Sequence, residues 1–135
     1  MKDSVLYRMI GGGFASVITY LLGGMDQVLS ILLLLIVVDY VTGFFGSAVK
    51  GELSSKVGFN GILKKVLILV VVVIAVQLDK LAGQTNVIRY MVCFFYIANE
   101  GISILENISK AGVPLPNFML NLLKVMKEQS DNGNV

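Results

Sequence analysis

One carboxylate, Asp39, stands inside an apolar run of helical length, VLSILLLLIVVDYVTGFFGSAV, and is followed by Thr42, Gly43 and Gly46. The spacing is i, i+3, i+4 and i+7, so a helix gathers an acid, a hydroxyl and two bare backbone patches on one face. A second polar group, Asn99, Glu100 and Ser103, interrupts the apolar run VIRYMVCFFYIANEGISIL, with Glu106 and Asn107 one turn further on. In a bilayer such faces turn toward protein or water, because an unpaired carboxylate is costly there and small residues let helices approach closely. Asp39 and Glu100 are the acids within or close to the apolar runs, so either could titrate in a proton-coupled carrier. Glu100 can pair with a lysine, face water or hold a proton, and the sequence leaves all three open.

Catalysis has little to work with. The chain has no histidine and a single cysteine, Cys93, in mid-run. Ser-His and Cys-His nucleophiles are thereby excluded, zinc and haem sites of the usual type lack ligands, and no intramolecular disulfide can form. GxxxxGK[ST], GxGxxG, CxxC and HExxH motifs are all missing, and Gly11, Gly12 and Gly13 enter an apolar helix with no strand before them, so they make no phosphate cradle. No catalytic residue, cofactor, metal or nucleic-acid partner is expected. What is left is transport or permeabilisation of a membrane.

The elements that must position these groups follow from composition. Of the 135 residues 56% are hydrophobic and 15% charged, with a mean hydropathy of +0.80. A helix crosses a hydrocarbon core of about 30 Å with roughly 20 apolar residues. The expected fold is an all-α integral membrane protein: a transmembrane domain over residues 1–112 with four spans near 6–22, 28–49, 64–82 and 87–105, then a C-terminal amphipathic helix within 113–135. Gly12, Ser16, Thr19 and Gly23 make a small-residue face on the first span, suited to close packing. The short linker 23–27 turns the first two spans into an antiparallel hairpin. Residues 50–61, with Ser55, Gly58 and Gly61, read as a solvated connector in preference to a re-entrant or gating loop. Lys64 and Lys65 can snorkel to the interface, residues 66–76 suit a lipid-facing wall, and Gln77, Asp79, Arg89 and Tyr90 read as interface residues. In the tail, Leu115, Phe118, Met119, Leu122, Leu123 and Met126 share one side opposite Asn117, Asn121, Lys124 and Lys127, and SDNGNV reads as disordered.

Charge orients the chain. Lys2, Arg8, Lys50, Lys56, Lys64, Lys65, Lys110, Lys124 and Lys127 fall on one side of a four-span layout, and Lys80 and Arg89 on the other. The positive-inside rule then puts both termini and the central loop in the cytoplasm; if the first segment fails to span, the N-terminus lies outside. The sequon Asn107-Ile108-Ser109 falls on the cytoplasmic side, where it would go unused.

The stretch DYVTGFFGSAVKGELSSKVGFNGILKKVLIL is similar to the central signature of the phage holin and toxin-secretion holin family, through Asp39, Thr42, Gly43, Ser55, Gly58, Gly61 and Lys65. The stretch NEGISILENISKAGVPLPNFMLNLLK resembles that family's C-terminal signature, through Asn99, Glu100, Ser103, Ile104, Leu105, Glu106, Asn107, Gly112, Pro114 and Pro116. The resemblance covers most of the chain from about Leu35 onward; the first helix matches only in being apolar. It implies a protein of the bacterial cytoplasmic membrane that associates with itself and opens holes. Those holes let a peptidoglycan hydrolase reach the wall, or assist toxin release.

Three functions are therefore weighed: a hole-forming holin first, then a small proton-coupled exporter, then a non-conducting regulator of another holin. In the first, Asp39, Thr42, Gly43 and Gly46 are expected to face Asn99, Glu100 and Ser103 between protomers or across a lumen, with residues 66–76 toward lipid. Met9 could serve as a second start that removes Lys2, Asp3 and Arg8, although an ordinary internal methionine is the favoured reading.

Overall fold

A computed structural model of the chain describes residues 2–132. Its elements are helices: α1 (Lys2–Leu21), α2 (Gln27–Val49), α3 (Ser55–Leu81), α4 (Val87–Lys110) and α5 (Asn117–Asn132), with no strand among the described residues. Three of them, α2, α3 and α4, are long and apolar enough to cross a membrane. α1 falls short of that measure, its apolar run diluted by Arg8 and by Gly11, Gly12 and Gly13.

The third helix starts earlier than its apolar run suggests. Ser54 is extended at the cap position, and residues 55–61 form the first turns of α3 where a connector is expected. The true connector is residues 50–54, turned by Gly51 at φ +69°. Gly58 and Gly61 lie inside the helix beside Tyr40 of α2: a Cβ on Gly58 would stand 3.5 Å from Tyr40 Oη, and one on Gly61 3.7 Å from its ring, both ordinary contact distances. α4 likewise runs past the expected end of its span to Lys110.

α4 is the centre of the bundle, packing along α2 and against α3, while α2 and α3 touch each other much less. The core is Leu22, Leu29, Leu32, Ile36, Ile68, Val72 and Cys93. Residues 66–76 are therefore not a uniform wall toward lipid. Ile68, Val72, Ala75 and Val76 are buried, while Val66, Leu67, Val70 and Ile74 face outward. A run of aliphatic residues with no polar member carries no sign of which side faces in.

α1 stands apart from this core. None of its residues is buried, although Leu22, immediately after it, is 3% exposed and plugs the bundle. At the other end Gly112, at φ +84°, and the proline-containing break lead into α5, which rests on α4. Residues 130–132 of the expected disordered end are helical; residues 133–135, and the side chains of Leu123, Met126 and Lys127, lie outside the described residues.

Candidate functional site

The inward faces of the three spanning helices each carry a charge. On α2 the buried positions are Leu29, Leu32, Ile36, Asp39 and Gly46, so Asp39 continues the apolar stripe that faces α4. On α4 they are Arg89, Cys93, Glu100 and Ile104. Asp39 is 7% and Glu100 1% exposed. Lys65 of α3 reaches between them: its Nζ stands 2.5 Å from Asp39 Oδ2 and also donates to Glu100 Oε2. Two carboxylates on one ammonium leave one surplus negative charge if all three are ionised.

Asn107, one turn before the end of α4, completes the arrangement. Its Nδ2 donates to Asp39 Oδ1 at 3.0 Å and to Thr42 Oγ1 at 3.2 Å. Thr42 in turn donates back to the Val38 carbonyl at 2.9 Å. Gly43 and Gly46 admit this approach, since a Cβ on either would stand 3.4 Å from an Asn107 atom, and at Gly46 that atom is the backbone oxygen. Every buried side-chain N and O among the described residues has a hydrogen-bond partner, as polar groups removed from water require.

The two polar faces read from the sequence thus meet inside a single chain. Asp39, Thr42, Gly43, Glu100 and Lys65 come together; Gly46 packs beside them. Ser103 is half-buried on the wall of an adjoining cleft, Ser55, Gly58 and Gly61 line that cleft from α3, and Asn99 is exposed and apart. Lys65, which the sequence lets reach out to an interface, turns inward to these two acids. Asn107, which the sequence places at the far end of the α4 polar group, is the member whose bonds to Asp39 and Thr42 only the fold shows.

A second cluster closes the opposite end of the bundle, where the sequence shows only interface residues. Arg89 is fully buried. Its Nη1 donates to Asp26 Oδ2 at 2.6 Å and its Nη2 to Asp26 Oδ1 at 3.1 Å, while Nε and Nη2 also donate to the carbonyls of Leu22 at 2.7 Å and Gly24 at 3.0 Å. The Arg89 hydrogen bond is the main force holding the Asp26 carboxyl below the usual carboxylate range, against a smaller upward push from burial. Asp26 also caps α2, accepting from Leu29 N at 2.9 Å. Asn86 enters α4 in the left-handed region and makes no side-chain cap. Asp79 of α3 supplies it instead, accepting from Ile88 N at 2.9 Å and Arg89 N at 2.8 Å, as the orphan donors of a helix start require.

The cleft beside the Lys65 cluster measures about 1100 Å³ and opens between α2, the first turns of α3 and the last turns of α4. A smaller space of about 670 Å³ at the other end separates α1 from α3. There Lys80 Nζ lies 4.7 Å from the centre of the Tyr20 ring.

Residues 16–128 match the model of the bacteriophage holin family. The chain is 46% identical over 118 residues to the uncharacterized protein Lin0175 of Listeria innocua, covering 87% of this chain and 84% of that protein. It is 41% identical over 133 residues to the uncharacterized protein CPE0383 of Clostridium perfringens, with coverage of 97% and 98%. A probable holin of Bacillus phage phi105 is 33% identical over 112 residues, with coverage of 83% and 82%. No solved structure matches.

Proposed function

The chain belongs to the bacteriophage holin family, and on that premise we propose that it acts as a holin. It accumulates in the cytoplasmic membrane of a bacterium, associates with copies of itself and opens holes. Through them a peptidoglycan hydrolase reaches the wall, or a toxin leaves the cell. The observation that carries this reading is the extent of the family match, residues 16–128, which takes in all three spanning helices and both charged clusters.

The geometry lends support in two ways. The Lys65 cluster ties α2, α3 and α4 into one body, yet most of the apolar surface of these helices points outward, where lipid or another copy can cover it. α1 has no buried residue, and along it lie Gly12, Ser16 and Thr19, small residues that suit a close approach by a second helix. In this reading α1 is a fourth span, both termini are cytoplasmic, and α5 lies along the membrane surface. The acids serve the protomer's own packing, and the association surface is α1.

The test is inducible expression in bacteria with and without a co-expressed hydrolase lacking an export signal, following optical density and release of a cytoplasmic enzyme. Abrupt lysis that needs the hydrolase is expected. Unimpaired growth in both cultures overturns the holin reading. Turnover of a transported solute that is lost on Asp39→Asn then points to a carrier, and delayed lysis on co-expression with another holin to a regulator.

A further inference from the structure

The cleft between α2, α3 and α4 has a charge pattern that hole formation does not use. Of the charged residues on its lining, Asp39 and Lys65 are engaged with each other, and Glu100, behind the lining, shares the Lys65 ammonium. The others are Lys50, Lys64 and Lys110 against Glu52, three cations to one anion. Lys50 and Lys64 are exposed with no ion-pair partner among the described residues, and Lys110 stands 3.9 Å from Glu106 one turn back on its own helix. The lining thus carries more cations than anions, at one end of the three helices long and apolar enough to cross a membrane.

Its walls are of two kinds. Ser54, Ser55 and Ser103 offer hydroxyls, while Phe44, Leu53 and Phe59 stand more than half exposed, at 53%, 53% and 61%. The space, about 1100 Å³, far exceeds what a small inorganic anion fills. A ligand that satisfies both walls carries a phosphate for the lysines and hydroxyls, and a glycerol and hydrocarbon portion for the aromatic and aliphatic rim. Basic pockets between membrane helices near one leaflet surface are suited to anionic lipid headgroups.

We propose that this cleft is a binding site for an anionic phospholipid, its phosphate held among Lys50, Lys64 and Lys110 and its acyl chains leaving past Phe44 and Phe59. The site needs only that the chain be embedded in a membrane, and it stands or falls apart from hole formation.

The test uses the full chain in nanodiscs of phosphatidylcholine with graded phosphatidylglycerol, released for native mass spectrometry. Wild type is expected to retain phosphatidylglycerol in preference to phosphatidylcholine. The triple variant Lys50→Gln/Lys64→Gln/Lys110→Gln is expected to bind it on the order of a hundredfold more weakly, at about tenfold or less for each lysine. The matching Lys→Arg triple keeps the charge and retains the lipid. Arg8→Gln/Lys56→Gln/Lys124→Gln makes the same change in net charge outside the cleft and leaves binding as in wild type. Equal retention of both lipids, an unaffected cleft triple, or an equal loss in the control triple overturns the site. Displacement by excess inorganic phosphate overturns the lipid as its ligand and assigns the cleft to a free anion.

Discussion

Lys65 Nζ stands 2.5 Å from Asp39 Oδ2 and also meets the Glu100 carboxylate, so one cation on α3 answers an acid on α2 and another on α4. These helices come from three separate parts of the chain. The cluster therefore fixes their mutual rotation as well as giving both acids a counter-charge, and it does so beside Asn107, which bonds the far oxygen of Asp39.

Removing the cation is expected to be the most damaging single change there. Lys65→Met leaves two buried carboxylates facing each other, which should lower stability by about 3–5 kcal/mol. Lys65→Arg keeps the charge and should cost much less. Adding Asp39→Asn and Glu100→Gln to Lys65→Met removes the charges together and should recover much of the loss. Thermal unfolding in detergent micelles separates these cases; a Lys65→Met chain that melts with wild type contradicts the pairing.

The Asp26–Arg89 pair gives the turn between α1 and α2 a pH dependence. Arg89 lowers the Asp26 carboxyl's affinity for protons in the folded chain, so the unfolded chain binds the proton more tightly. The stabilisation is then fully present above the unfolded value, about 3.9, and is lost as pH falls through the lower folded value. Asp26→Asn keeps a capping oxygen for Leu29 but leaves buried Arg89 without its counter-charge. At neutral pH it should lower stability by about 2 kcal/mol, given that Asp26 is partly exposed. The gap between wild type and variant should narrow below about pH 4; a constant gap in melting temperature down to acid refutes the link.

Much of this architecture was legible from residue order. The apolar runs give α2, α3 and α4, and Asp39 with Thr42, Gly43 and Gly46 lies on the face the sequence assigns it, because one acid among aliphatic residues marks an inward side. Arg89, Asp26 and Asp79 were not legible. Each stands near the end of an apolar run, where interfacial anchors and buried ion pairs have the same composition, and only the folded turn at residues 22–26 brings Asp26 to Arg89. Nor did the sequence tell Val72, fully buried, from Val70, which faces outward.

Gly23 is where that turn tolerates no side chain. At φ +83°, a Cβ would stand 2.8 Å from Arg89 Nε and 3.0 Å from Val76 Cγ2. Arg89 cannot swing away without giving up its bonds to Leu22 and Asp26. Gly24 also has a positive φ, +97°, but open space around it. Gly23→Ala should therefore be the worse of the two, combining left-handed strain of about 1–2 kcal/mol with the loss of the Arg89 geometry. Gly24→Ala should show the strain alone. Equal melting temperatures for the two variants would sink this account of Arg89 as the turn's latch.

Gly12 separates the protomer from its assembly. A Cβ there meets nothing within 4 Å, so Gly12→Leu should leave the fold of the single chain intact and, by removing a mid-helix glycine, favour α1 by up to about 1 kcal/mol. Gly46→Leu is the opposite case. Its added Cβ would lie 3.4 Å from the Asn107 backbone oxygen, which cannot rotate aside, and the remaining carbons should force α2 from α4 at about 1–3 kcal/mol. If α1 is the surface through which copies associate, Gly12→Leu should weaken chemical cross-linking between copies in membranes and shift the time of lysis, even though its melting temperature is unchanged or higher. Gly46→Leu should lower the melting temperature as well. A Gly12→Leu chain that cross-links and lyses on the wild-type schedule rules out this face of α1 as the contact and moves the association surface to the outward aliphatic residues of α3, Val66, Val70 and Ile74.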